Sequence, residues 1–153
     1  MNDIAPIVKE TVLNATPEQV FDAYTDPKQL EKWFARAATI DLRANGAWRF
    51  DFGGGLAAEG RVLEAERPTR FVWTWEKSIS PDENGVEQVL ESDIVNTYQF
   101  EPVDGGTRFT IEERNHASQE IRDMSVGGID QMIATLRAWL EDGVAVDWRQ
   151  APQ

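Results

Sequence analysis

The chain has no cysteine and one histidine, His116. No disulfide, thiol nucleophile or thiolate metal site can therefore form. A metal would have to be held almost entirely by carboxylates. The acidic pairs Asp82-Glu83 and Glu112-Glu113 read as solvated loop and strand charges, so neither a metal nor a cofactor is expected. Positive charge is scarce: 15 Lys and Arg stand against 27 Asp and Glu, a formal net charge of −12. Nucleic-acid binding needs a basic face to neutralise phosphates, and anionic membrane surfaces repel an acidic protein. No apolar run approaches membrane-spanning length, and the N-terminal MNDIAPIVKE lacks the apolar core of a secretory signal. These absences predict a soluble, cytoplasmic protein. Phosphate-cradling glycine loops are missing too, because Gly53-Gly54-Gly55 joins two strand patterns instead of leading into a helix. Asp51-Phe52-Gly53 spells a kinase tripeptide without the other kinase motifs, and no serine lies in a nucleophile elbow.

Aromatic residues are plentiful: six Trp, seven Phe and two Tyr in 153 residues, with 41% of the chain hydrophobic. That composition argues against disorder, and the length suits one domain spanning residues 1–153. The aromatics are also ordered by period. From Ser118 to Asp142 there is no proline, and Ile129, Met132, Ile133, Leu136, Trp139 and Leu140 recur at three- and four-residue steps. They form one stripe of a long helix, with Gly143 suited to a left-handed cap after it. Gly127 and Gly128 each cost about 1 kcal/mol against alanine inside a helix. The sequence therefore predicts either a main helix beginning near Ser125 or a close approach of some neighbour to the glycines.

Upstream, Pro6–Asn14 has the β-branched composition of a strand. Thr16-Pro17-Glu18-Gln19 carries the signals of a helix start: a cap, a proline at the first helical position and a capping-box glutamine. This helix presents Val20, Phe21 and Tyr24. A second short helix starts near Pro27 and carries Leu30, Trp33 and Phe34. Period-two patterns follow. Ala38–Leu42 reads as a short edge strand. Trp48, Phe50 and Phe52 share a face, as do Phe71, Trp73 and Trp75. Glu59–Ala65 reads as a strand between them. Ile94, Asn96, Tyr98 and Phe100 align within Ser92–Glu101, and Phe109, Ile111 and Glu113 align within Thr107–Glu113. Asn45-Gly46 and Asp104-Gly105-Gly106 are turns. Lys77–Leu90, with Ser80-Pro81-Asp82-Glu83-Asn84-Gly85, reads as an extended, mobile hairpin connection. A strand, two small helices, six strands and a long helix predict an α+β fold. About seven strands would make a curved antiparallel sheet wrapped round the C-terminal helix.

Several stretches resemble one family. They are Thr16–Pro27 with Leu30 and Trp33-Phe34; Asn45-Gly46 before Trp48-Arg49-Phe50; Glu66-Arg67-Pro68 with Phe71–Trp75; and Asp104–Thr110. The set resembles the START-like helix-grip superfamily (SRPBCC). Within it, the branch is similar to the C-terminal domain of the activator of heat-shock-protein-90 ATPase, a stress-response co-chaperone. The resemblance implies a cavity between sheet and C-terminal helix that receives lipids, hormones, polyketides or other apolar molecules. This chain departs from the family at Gly128-Ile129, where Gly-Trp is usual. It departs again at Glu113, where relatives often end the last strand with His.

The inward aromatics form either a filled core or the wall of an apolar pocket with a few polar groups. Asn96 and Glu113 favour the pocket, because both fall on the inward face where an unpaired polar group is costly. The candidate ligand-binding set is Trp33, Phe34, Phe50, Trp73, Trp75, Asn96, Tyr98, Glu113, Ile129 and Met132. Its expected ligand is a small, largely apolar molecule. Glu113 and His116, three residues apart, are the candidates for acid–base chemistry of a cyclase or hydrolase kind. An interaction module on the outer sheet face is a third class, which the polar outward residues Arg49, Asp51, Arg108, Thr110 and Glu112 disfavour. An exposed edge strand leaves a homodimer open.

Overall fold

The computed structural model describes residues 4–147. Strand β1 (Ile7–Leu13) leads to helices α1 (Pro17–Thr25) and α2 (Pro27–Trp33). Five strands then precede the last one: β2 (Ala37–Ile40), β3 (Ala47–Gly53), β4 (Leu56–Glu66), β5 (Arg70–Pro81) and β6 (Glu87–Val103). Strand β7 (Gly106–Arg114) and helix α3 (Gln119–Asp142) follow. All seven strands form one curved antiparallel sheet in the order β1-β7-β6-β5-β4-β3-β2.

Local chemistry sets the helix ends. Gln19 N–H donates to Thr16 Oγ1 at 3.1 Å while Thr16 N–H donates to Gln19 Oε1 at 2.8 Å, a complete capping box. Asp26 closes α1 and caps α2, its carboxylate accepting from Lys28 N–H at 3.0 Å. Ser118 caps α3 by accepting from Ile121 N–H at 3.1 Å, and Gly143 ends it with a left-handed φ of 67°.

Two expectations are corrected. The stretch Lys77–Leu90 is mostly strand: β5 and β6 pair as far as Pro81 and Glu87. Asp82 explains the compact turn between them, since its carboxylate accepts from the N–H groups of Asn84 (2.8 Å) and Val86 (2.9 Å). Polar side chains on a solvated hairpin obscured the strand period. Helix α3 starts at Gln119, a full six residues before Ser125, and nothing lies within 4 Å of a Cβ built on Gly127 or Gly128. The glycines thus border open space, and neither their close-approach reading nor the later start holds.

Helix α3 is tied down along one side. Arg122 donates to the carbonyls of Ala5 (2.7 Å) and Pro6 (3.2 Å), and Arg137 donates to that of Val12 (3.0 Å). Trp139 Nε1 donates to Gln29 Oε1 at 2.9 Å, and Asn14 N–H to Glu141 Oε2 at 3.0 Å. These contacts hold α3 near β1, α1 and α2, its closest backbone neighbours. The middle of the sheet, where β5 and β6 run, is left at a distance from the helix.

A cleft between the sheet and the long helix

The inner face of the sheet divides along its length. Beneath α1 and α2 it is filled: Leu13, Phe21, Leu30, Trp33, Phe109 and Leu136 are fully or almost fully buried in one cluster. Phe21 meets Phe100 edge-on at 5.5 Å, and Phe100 stacks on Phe109 at 5.3 Å. Buried polar groups here are paired. Trp33 Nε1 donates to the Ala23 carbonyl and Trp48 Nε1 to that of Thr74, both at 2.8 Å. Thr107 Oγ1 donates to the Ala15 carbonyl at 2.7 Å.

Beneath the first half of α3 the face is open. A cleft of about 830 Å³ lies there, bounded by β5, β6, the end of β7 and α3. Phe34, Trp73, Trp75, Tyr98, Ile129 and Met132 supply its apolar walls, and Asn96 and Glu113 add polar groups. Trp33 and Phe50, expected in the same set, are buried in the core and are not among the residues bordering the cleft, Phe50 lying edge-on to Phe34 at 5.3 Å. Sequence reasoning missed Tyr24, Ser125 and Gly128 on the wall, and Leu90, Glu91 and Asp93 on the hairpin side. Taking Lys77–Leu90 as a connection and not as paired strand hid Leu90. Gly128 had a signal, the unfavourable glycine in a strong helix pattern.

Strand register brings the polar groups together. Trp73 on β5 pairs with Asn96 on β6, which pairs with Glu113 on β7. Directly opposed antiparallel residues have Cβ atoms about 4.5–5.5 Å apart, so the three side chains form one row across the inner face. Asn96 is 1% exposed, and its Nδ2 meets no protein acceptor. The Trp73 indole N–H is likewise buried without an acceptor at hydrogen-bond geometry, though it lies close enough to the Tyr98 hydroxyl to favour its ionised form slightly. In the next row, Tyr98 O–H donates to the Tyr24 hydroxyl at 3.0 Å. Burial pushes both phenols well above the ordinary tyrosine range, and the charge of Glu113 adds to this. Both stay neutral, so they serve as hydrogen-bonding groups and not as bases.

Glu113 Oε1 lies 2.8 Å from His116 Nε2, and His116 is 1% exposed. Glu113 borders the cleft; His116 sits behind it. The arrangement can hold or pass a proton at the carboxylate. Among the described residues, no three His, Asp or Glu side chains gather as a metal ion would require. Among the same residues, no helix is long and apolar enough to cross a membrane. Among the described residues no Lys or Arg borders the cleft, whereas Glu91, Asp93 and Glu113 do.

Solved structures share this architecture. Protein MLL2253 from Mesorhizobium loti is 20% identical, with a TM-score of 0.74 over 90% of this chain and 98% of its own. The Aha1 dimer from Colwellia psychrerythraea is 18% identical, with a TM-score of 0.74 over 92% and 98%. DynU16, described as a putative protein in the dynemicin biosynthetic locus, is 20% identical, with a TM-score of 0.71 over 91% of this chain and 48% of its own. At these identities the likeness concerns the fold alone. No curated protein matches the sequence. The helix-grip fold is compatible with ligand binding, and a family match runs through most of the chain. Over residues 14–141 the sequence matches the activator of Hsp90 ATPase homolog 1-like proteins, and the chain belongs to that family.

Proposed function

We propose that this chain is a single-domain cytoplasmic protein that takes up a small, largely apolar molecule between its sheet and its C-terminal helix. One observation carries the reading: a cleft of about 830 Å³ with aromatic walls, whose inner end holds the unpartnered Asn96 amide. Small-molecule sites have this size and composition, roughly 300–1,000 Å³ of mainly apolar wall with a few polar groups. A filled core leaves no such amide unpaired, since that costs about 1–3 kcal/mol. The likeness to DynU16, a putative protein of a biosynthetic locus, agrees with a small organic ligand. Native mass spectrometry of gently purified protein, followed by denaturing extraction, tests the reading. A co-purified small molecule is the expected result. A clean unliganded mass, together with no thermal shift across an apolar ligand panel, would overturn it.

The 2.8 Å contact between Glu113 and His116 favours a second reading, acid–base catalysis on a bound molecule. Glu113→Gln separates the two, because binding survives while turnover is lost if Glu113 is the proton acceptor. Equal loss of both, or of neither, counts against catalysis. The Colwellia relative was solved as a dimer. A second copy of this chain is the corresponding partner here. Sedimentation at rising concentration reads that out. The outer face does not suit an apolar partner, because ion pairs such as Arg49–Glu59, Arg61–Glu76 and Arg108–Glu101 cross it.

A further inference from the structure

We infer that the inner end of the cleft reads a neutral carbonyl oxygen, held by the Asn96 amide N–H with the Trp73 indole N–H beside it. The ligand is then an apolar ketone, ester, quinone or similar molecule, and not a carboxylate or phosphate. This inference rests on the binding reading above and adds the chemistry of the group that enters first.

Three observations lead here. First, the groups that lack protein partners are donors. Asn96 Nδ2 and Trp73 Nε1 are both buried, both border the cleft and both stand without an acceptor. They belong to residues directly paired across β5 and β6, so their side chains rise from the same point of the inner face. The neighbouring Tyr24–Tyr98 pair has two hydroxyl protons and one mutual bond, which leaves a further donor close by. Buried donors without a protein partner are completed by a ligand that brings an acceptor.

Second, the charge is wrong for an anion. Among the described residues the cleft has no Lys or Arg on its wall, while Glu113 stands in the same strand-paired row as Asn96, and Glu91 and Asp93 are near the hairpin. His116, which reaches the row, is engaged with Glu113 Oε1 at 2.8 Å. A carboxylate head would be desolvated beside a carboxylate, and both terms oppose it.

Third, the rest of the wall offers little to a polar ligand. Trp73, Trp75, Phe34, Ile129 and Met132 surround the approach, and Gly128 widens it on the helix side. A flat apolar body with one acceptor oxygen satisfies wall and donors together.

Three probes of matched shape test the inference on the full chain: naphthyl methyl ketone, isopropenylnaphthalene and naphthoate. Titration calorimetry or tryptophan quenching reads their affinities. The ketone should bind about tenfold tighter than the hydrocarbon, as one net neutral hydrogen bond implies. Naphthoate should bind most weakly. In Asn96→Leu the ketone-to-hydrocarbon ratio should fall to near one. Trp73→Phe, which keeps the ring and removes only the N–H, should lower it partly, and it carries the test if the first variant does not fold. Equal binding of ketone and hydrocarbon by the native chain overturns the carbonyl inference and leaves the apolar cleft standing. Tightest binding of naphthoate overturns it as well, as does a ratio unchanged in both variants. Saturation by none of the three overturns both the inference and the binding reading beneath it.

Discussion

The two halves of the inner sheet face are built from similar residues and behave oppositely. Under α1 and α2, aromatic and aliphatic side chains interlock, and polar atoms such as Trp33 Nε1 and Thr107 Oγ1 reach carbonyls. Under the first half of α3, Trp73 Nε1 and Asn96 Nδ2 are as deeply buried and reach none. The difference comes from the helix. Its second half brings Leu136 into the core and Trp139 to Gln29, whereas its first half sets Gly128 against the cleft with nothing within 4 Å of a Cβ built there. One half is organised for stability and the other keeps room at a cost in stability. Such a cost is expected where a site serves a ligand.

Mutations in the two halves should therefore move stability in opposite directions. Phe109→Ala, in the filled half, should destabilise by about 3–5 kcal/mol, because it opens a cavity among Phe100, Tyr98 and Tyr24. Denaturant unfolding measures this, and a loss below about 1 kcal/mol would mean the half is not tightly packed. Asn96→Leu, in the open half, should stabilise by about 1 kcal/mol or more, since it removes a buried donor that lacks a partner. A destabilisation of similar size would show that the amide is satisfied and the contrast between the halves unreal.

Gly128→Ala sharpens the comparison at lower amplitude. A Cβ there meets nothing within 4 Å, so helix propensity alone should raise stability by up to about 1 kcal/mol. The same methyl enters the cleft, so affinity for bulky ligands should fall as stability rises. The smallest effect lies on the outer face. Burial raises the Glu76 pKa, but hydrogen bonds from Thr74 and Arg61 outweigh it and leave the carboxyl below its ordinary value. A depressed folded pKa stabilises above the unfolded value, and that gain is lost as pH falls through the folded one. Glu76→Gln should thus cost under about 1 kcal/mol at neutral pH, after allowance for solvent screening, and nothing once the carboxyl is protonated. Unfolding of both proteins across the acidic range reads the convergence.

Most of the fold was legible because periodicity and turn chemistry agreed. The capping box at Thr16, the inward sets Phe71-Trp73 and Tyr98-Phe100, and the edge position of β2 all follow from local pattern. The length of the strands running into the hairpin at Pro81–Glu87 did not, because solvated strands lack a hydrophobic face to reveal their period. Within the candidate site, Asn96 and Glu113 could be noticed as polar residues on an apolar face. Their alignment with Trp73 depended on register across three strands, set by bulges and turns that no single stretch of sequence encodes. Trp33 and Phe50 were placed with the pocket because aromatic character does not distinguish a wall from a core. What separates them is the position of α3, which depends on long-range contacts such as Arg137 with Val12.

The most direct measurement is binding of prodan, a neutral naphthyl ketone whose emission shifts in apolar surroundings, to the native chain and to Gly128→Phe. The native chain should show saturable one-to-one binding with blue-shifted emission. The variant, with a ring filling the open half, should lose that binding while keeping a cooperative unfolding transition. Unchanged binding by Gly128→Phe, or no saturable binding by the native chain, would contradict the claim that the space beneath the first half of α3 is the ligand site.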